Sequence, residues 1–213
     1  MASFQAWQET AGKNHSLFLG PSIGMDITSI LTYVVILFPC SEIALLVFKR
    51  SKERSSTKGD RGSLRLLWST IAFSICLTIL LQWSPAAVIQ LPKSIINAIA
   101  LCLLIGGLII RWLAIISLGK YFTVDVAIQK GHILVHRGMY KYVRHPSYTG
   151  LLIEFTGLAV YFGTWVSVIL IVVPITSAII YRIRCEEILL RAAFGKQYEE
   201  YMVHTKSLIP GVV

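Results

Sequence analysis

Apolar and polar positions divide this chain into long blocks rather than the short alternations of a soluble domain. Five apolar segments stand out: Ile23–Phe48, Leu66–Trp83, Ile95–Leu118, Tyr148–Phe162 and Trp165–Tyr181. A helix needs roughly 20 apolar residues to cross about 30 Å of hydrocarbon. The first and third segments exceed that length, the second and fifth approach it, and the fourth is short. Only Phe162, Gly163 and Thr164 separate the fourth from the fifth. The pattern therefore predicts a tight helical hairpin whose first arm falls short of a full crossing. The first segment lacks a basic leader region and is too long for a cleavable signal peptide, so it reads as a retained span.

Composition agrees with this pattern. Hydrophobic residues make up 55% and charged residues 15% of 213 positions, against about 45–50% and about 25% for soluble domains. The mean hydropathy is +0.67. Disorder, a basic nucleic-acid tail and an ordinary cytosolic enzyme are excluded as first readings. The net charge of +9 would suit a polyanion partner, but its distribution points elsewhere. Seven Lys and Arg lie between Lys49 and Arg65, six between Arg111 and Arg144, and five after the fifth segment. The remaining two, Lys13 and Lys93, fall on the other side of the spans. Basic residues collect on the cytosolic side of membrane proteins. The expectation is an all-α integral membrane protein of about five transmembrane helices, N-terminus outside and C-terminus cytosolic, with no nucleic-acid partner.

Polar chemistry is concentrated in two cytosolic stretches, 119–150 and 182–210. The four cysteines show no metal-ligand spacing and read as small apolar packing residues. Asn14-His15-Ser16 fits a glycosylation acceptor, a pattern common by chance. Thr123 to Ile128 alternates as a short extended segment would. Pro146 biases His145 away from helix and can open the fourth helix, whose free N–H groups would lie at the membrane face. Arg182 and Glu186 share a helix face; they form either a surface ion pair or two walls of a polar pocket. Phe194 to Tyr201 is amphipathic, suited to the interface, with Pro210 marking its end. Glu154 is an ionisable residue inside an apolar span, hence a functional candidate as much as a hydrated one. Glu42 reads as a partly hydrated residue near the interface. Gly106-Gly107 reads as internal helix packing ahead of a dimer contact.

Four elements now occur in order: Gly131-His132-Ile133-Leu134-Val135-His-Arg-Gly138-Met-Tyr140, Arg144-His145-Pro146-Ser147-Tyr148-Thr-Gly150, Glu186-Glu187, and Phe194-Gly195-x-x-Tyr198-x-x-Tyr201. Together they resemble the isoprenylcysteine carboxyl methyltransferase family, which belongs with the phospholipid methyltransferases. The resemblance covers roughly residues 117–210. It implies a membrane-embedded enzyme using S-adenosyl-L-methionine in a cytosolic-face pocket. By position, His132, Ile133, Leu134 and Val135 would line the adenine and ribose region, and Tyr140 would pack against the cofactor. His145, Pro146, Ser147 and Tyr148 would contact it from the helix entrance, and Glu186 from the C-terminal side. Arg182 would hold the substrate carboxylate, and Arg144 would order the motif or assist the substrate end.

The chemistry of the residues is consistent with those roles. An acidic group, Glu186 or Glu187, suits the cofactor's ammonium and sulfonium. A substrate carboxylate is ionised at pH 7, so methyl transfer needs positioning and exclusion of water rather than a general base. The chain is expected to form one membrane domain over 1–213, with accessory helices in 1–94 and the catalytic core in 95–213. Its expected acceptor is a C-terminal prenylcysteine or similar lipidic acid entering from the membrane. Endoplasmic reticulum would be the compartment in a eukaryote and plasma membrane in a prokaryote. A phospholipid amine acceptor is the alternative and would need a base, with Glu154 the candidate. An NADPH-dependent sterol-type reductase shares the Arg-His-Pro-x-Tyr-x-Gly element. A non-enzymatic scaffold or channel subunit is disfavoured by the dense polar motif.

Overall fold

The computed structural model describes residues 27–48, 61–81, 87–124 and 133–208. His132, the Asn14-His15-Ser16 acceptor and most of the extended segment after Thr123 lie outside them. Six α-helices are present among these residues: α1 (Ile27–Phe48), α2 (Arg61–Leu81), α3 (Lys93–Leu118), α4 (Pro146–Tyr161), α5 (Trp165–Phe194) and α6 (Lys196–His204). Single 3-10 turns occupy Gly119–Tyr121 and Gly138–Lys141. Three stretches are long and apolar enough to cross a membrane: Gly62–Leu81 in α2, Lys93–Leu118 in α3 and Trp165–Phe194 in α5. The apolar part of α1, Ser29–Leu45, is shorter. With 16 residues, α4 is only about 24 Å long at 1.5 Å per residue.

The predicted hairpin is present, with Gly163 at φ +73° in its turn. Thr164 caps α5 by accepting the Ser167 N–H at 3.1 Å. The fifth apolar segment ends at Tyr181, and the helix that carries it, α5, continues to Phe194, so that Arg182 and Glu186 share a helix face as their spacing suggests. At 30 residues it is about 45 Å long, so its last turns rise beyond a hydrocarbon core of about 30 Å. They carry the Glu-Glu pair.

In the bundle, α3 packs along α4, α2 along α5, α4 against α5, and α1 against α3. Lipid offers no hydrophobic gain for helix association, so close backbone packing over small residues does much of that work. The α3–α4 contact follows this rule. A Cβ on Gly107 would meet Glu154 N and Gly150 O at 2.7 Å, and one on Gly150 would meet Arg111 N at 2.6 Å. Gly157 approaches Leu104 N in the same way. Gly106, its neighbour in the sequence, faces open space. An edge-to-face pair of Phe38 and Phe155, 5.2 Å between centroids, joins α1 to α4.

Two expectations are corrected here. Cys40, Cys76 and Cys102 are exposed rather than packed inside, because lipid accepts a small apolar side chain as readily as a core does. Glu42 is buried, 3% exposed, rather than partly hydrated, because its helix face turns toward Arg111.

Candidate functional site

A cavity of about 1140 Å³, open mouth included, lies where α3 ends, α4 begins and α5 emerges. Gly195, at φ +53°, reverses the chain after α5 and sets α6 beneath the cavity, where Tyr198 and Tyr201 line it. This helix forms the floor of the cavity. It stops at His204, ahead of Pro210, because the next residues leave the helix to join the motif. Arg144 N donates to Lys206 O at 2.8 Å and His145 N to Ser207 O at 3.0 Å. The Thr149 hydroxyl donates to Leu208 O at 2.7 Å.

Pro146 occupies the first turn of α4, with His145 as its extended N-cap. The helix start therefore presents Ser147 and Tyr148 to the cavity. Two arginines grip these neighbours. Arg182, 2% exposed, donates Nε–H to the Tyr148 hydroxyl at 2.8 Å, Nη1–H to Ser63 Oγ at 2.9 Å and Nη2–H to Val124 O. The Tyr148 hydroxyl in turn donates to Glu186 Oε2 at 3.0 Å. Arg182 and Glu186 are thus joined through Tyr148 on one wall, which settles the pocket reading of their spacing over the surface ion pair. On the other side, Arg111 Nη1 donates to Ser147 O and Ser147 Oγ, each at 3.2 Å.

The two adjacent glutamates separate because neighbours on a helix point about 100° apart. Glu186 lines the cavity. Glu187 takes the Arg144 Nε–H at 2.9 Å and lies 3.3 Å from His145 Nε2. Arg144 also donates to Met202 O at 3.3 Å and to Thr205 O. Arg144 and Glu187 therefore clamp the motif to the C-terminal segment.

Ile133, Leu134, Val135, Tyr140, His145, Ser147, Tyr148, Glu186, Arg144 and Arg182 all line the cavity. Pro146 and Glu187 support the wall from behind, and His132 lies outside the described residues. Glu154 is not brought to the cavity. It is fully buried at the α3–α4 contact, and neither carboxyl oxygen has a hydrogen-bond partner among the described residues.

The sequence reading missed Arg111, Glu42, Trp68 and Tyr121 as cavity residues. In the sequence Arg111 reads only as a topological charge. Its place inside an apolar helix, five residues after Gly106, was the available signal, since an intramembrane cation needs a partner. That partner is Glu42, which receives Nε–H and Nη2–H from Arg111, each at 2.5 Å.

A cofactor with adenosyl, ammonium, carboxylate and sulfonium groups fits this donor set. Glu186 offers an anion at the wall, Tyr140 and Phe194 offer aromatic faces, and the irregular stretch Ile133–Val135 offers backbone groups. The buried Tyr198 hydroxyl has no hydrogen-bond partner among the described residues, as a polar atom beside a ligand site would. Burial and the nearby glutamates raise the pKa values of Tyr140 and Tyr198. Burial raises that of Tyr201 to about 12. All three phenols are neutral at pH 7 and can donate.

Comparison with known proteins shows what this arrangement is similar to. Residues 98–192 match the isoprenylcysteine carboxyl methyltransferase (ICMT) family. The match spans most of α3, the motif, α4 and most of α5. Over 128 residues the chain is 36% identical to the protein-S-isoprenylcysteine O-methyltransferase of Schizosaccharomyces pombe, covering 59% of this chain and 54% of that one. It is 37% identical over 119 residues to protein-S-isoprenylcysteine O-methyltransferase B of Arabidopsis thaliana, 55% of this chain and 60% of that one. The chain thus spans little more than half the length of these curated relatives. The structure of the eukaryotic intramembrane Ras methyltransferase ICMT has the same fold. Its TM-score is 0.56 at 23% identity, over 91% of this chain and 70% of that one. The ICMT resemblance read from the motifs is therefore met by family model and relatives, and the all-helical integral membrane architecture by the fold.

Proposed function

We propose that this protein is a membrane-embedded, S-adenosylmethionine-dependent methyltransferase that O-methylates the carboxylate of a C-terminal prenylcysteine or a similar lipidic acid. The observation that carries this reading is the Arg182–Tyr148–Glu186 chain on one cavity wall. It sets a fixed cation for an acceptor carboxylate beside an anion for a cationic cofactor. The ICMT match over 98–192 supports the same assignment. S-adenosylmethionine, when bound, supplies the methyl group.

The residues of this chain do the rest by positioning. Ile133, Leu134, Val135, Tyr140, His145, Ser147, Tyr148 and Glu186 hold the cofactor, with Pro146 setting the helix start. Arg182 orients the acceptor through a planar fork that a lysine lacks. The Tyr148 hydroxyl fixes the Arg182 and Glu186 heads relative to each other. The apolar wall of Leu67, Trp68, Ile71 and Leu151 accommodates a lipidic chain and keeps water from the acceptor, where electrostatic interactions strengthen. Because the carboxylate is already ionised at pH 7, no proton need be removed. An amine acceptor would need a base, and the expected one, Glu154, does not line the cavity.

In this reading five segments cross or enter the membrane, with the N-terminus outside and the C-terminus cytosolic. The bias of basic residues to one side, 17 of the 19 that remain when the membrane-buried Arg111 is left out, supports that orientation. Residues 95–213 form the catalytic core of a single domain.

Labelled S-adenosylmethionine in liposomes, offered N-acetyl-farnesylcysteine and phosphatidylethanolamine side by side, tests the proposal. Label is expected in the farnesylcysteine ester. Arg182→Ala should lower kcat/KM roughly 10- to 100-fold, the loss of charge-assisted bonds of about 1.5–3 kcal/mol, and Glu186→Ala should weaken S-adenosylhomocysteine binding. Label in the phospholipid, or thermal stabilisation by NADPH and none by S-adenosylhomocysteine, would reverse the assignment.

A further inference from the structure

We propose that Glu42 is a positioning residue for the site, acting through Arg111 to fix the first turn of α4. The inference rests on the methyltransferase reading for its kinetic consequences but not for its structural ones. Glu42 belongs to α1, outside the residues 98–192 that match the family, yet it lines the cavity. The Glu42 and Arg111 side chains are 3% and 7% exposed. Glu42 engages the Nε and Nη2 edge of the guanidinium bidentately, at 2.5 Å on both sides. A planar fork held on one edge has its remaining N–H groups aimed in a fixed direction. That direction is Ser147, whose carbonyl and hydroxyl both accept from Nη1.

The backbone geometry makes this grip tight. A Cβ on Gly150 would come within 2.6 Å of Arg111 N, so the arginine is rooted directly against the turn its side chain holds. The same turn carries the amides of Tyr148 and Thr149, both bonded to His145 O, and through Tyr148 it carries the Arg182–Glu186 link. A carboxylate on α1 therefore sets where the cavity wall stands. Without it, Arg111 would be a buried cation with no counter-ion at that edge, next to the cavity where an anionic acceptor must sit.

The test uses the full chain in detergent. Removing one charge alone is strongly destabilising, whereas replacing both by apolar residues of similar volume often leaves stability near the parent. The main variant is therefore Glu42→Leu with Arg111→Met; Glu42→Gln, which loses the charge but keeps an oxygen acceptor for the guanidinium, is the second, measured at a temperature where its melt shows it folded. Hydrogen exchange of the Tyr148 and Thr149 amides, measured without ligand, should quicken about tenfold or more, with the middle of α4 unchanged. S-adenosylhomocysteine should bind about tenfold more weakly, and kcat for N-acetyl-farnesylcysteine should fall with KM little changed. Glu42→Gln should move all three in the same direction by about threefold, and it decides the matter if the double variant does not fold. Parent-like exchange and binding in the folded variants would overturn the proposal. A parent chain that binds no S-adenosylhomocysteine would overturn the methyltransferase reading instead, while the exchange measurement still judges Glu42.

Discussion

The two N-terminal helices and the family-matched segment contribute to the cavity in different ways. Residues 98–192 supply the motif that faces it. Helices α1 and α2 each supply an acceptor to one of the two arginines that hold the start of α4. Ser63 on α2 accepts from Arg182, which holds Tyr148. Glu42 on α1 accepts from Arg111, which holds Ser147. The first support is a hydroxyl and the second a bidentate carboxylate. Helices α1 and α2 thus each hold one of the arginines that fix the start of α4, and the ionic support is expected to have the larger consequence when broken.

The largest effect is therefore expected on α1. Glu42→Ala should lower unfolding stability by about 3–5 kcal/mol, since it strands a buried guanidinium; a thermal melt in detergent reads it. A loss below about 1 kcal/mol would mean that Arg111 finds another anion or water, and would remove the asymmetry between the two supports. Next comes the α3–α4 contact on which the Arg111 side depends. Gly150→Ala drives a Cβ into backbone at 2.6–2.7 Å and should cost about 1–3 kcal/mol or more. Gly106→Ala, which meets nothing within 4 Å, should stay within about 0.5 kcal/mol of the parent. Equal melts for these two variants would argue against close α3–α4 packing. The smallest effect belongs to α2. Ser63→Ala should cost about 1 kcal/mol, seen as a fall in Tm of roughly 2–4 °C, with kcat/KM reduced less than tenfold. A Ser63→Ala loss as large as that of Glu42→Ala would make the two supports equivalent.

Legibility in the sequence followed the range of the interactions. The hairpin was readable because Gly163 and Thr164 are local turn and cap signals. The motif was readable because its residues are close in sequence: Pro146 sets the helix start, and Ser147 and Tyr148 follow at fixed angles. The apolar pattern alone stops at Tyr181, because Arg182 and Arg184 interrupt apolarity without interrupting the helix. Charge alone does not separate Glu186 from Glu187, because either carboxylate suits a cation; only the resemblance favours Glu186.

By itself, the sequence determined that this is an all-helical membrane protein with its polar chemistry gathered in two segments. Apolar length and charge side are one-dimensional properties, and lipid forces the backbone into helices. Only the tertiary structure decided which charged residues share a space. Glu42 and Arg111 are 69 positions apart, and Ser63 and Arg182 are 119 apart. No local periodicity encodes such pairs, because they arise from the close approach of α3 to α4 and from the packing of α2 on α5. The same approach turned Glu154 into the helix contact and away from the cavity, a difference of helix face that its position in an apolar run could not reveal.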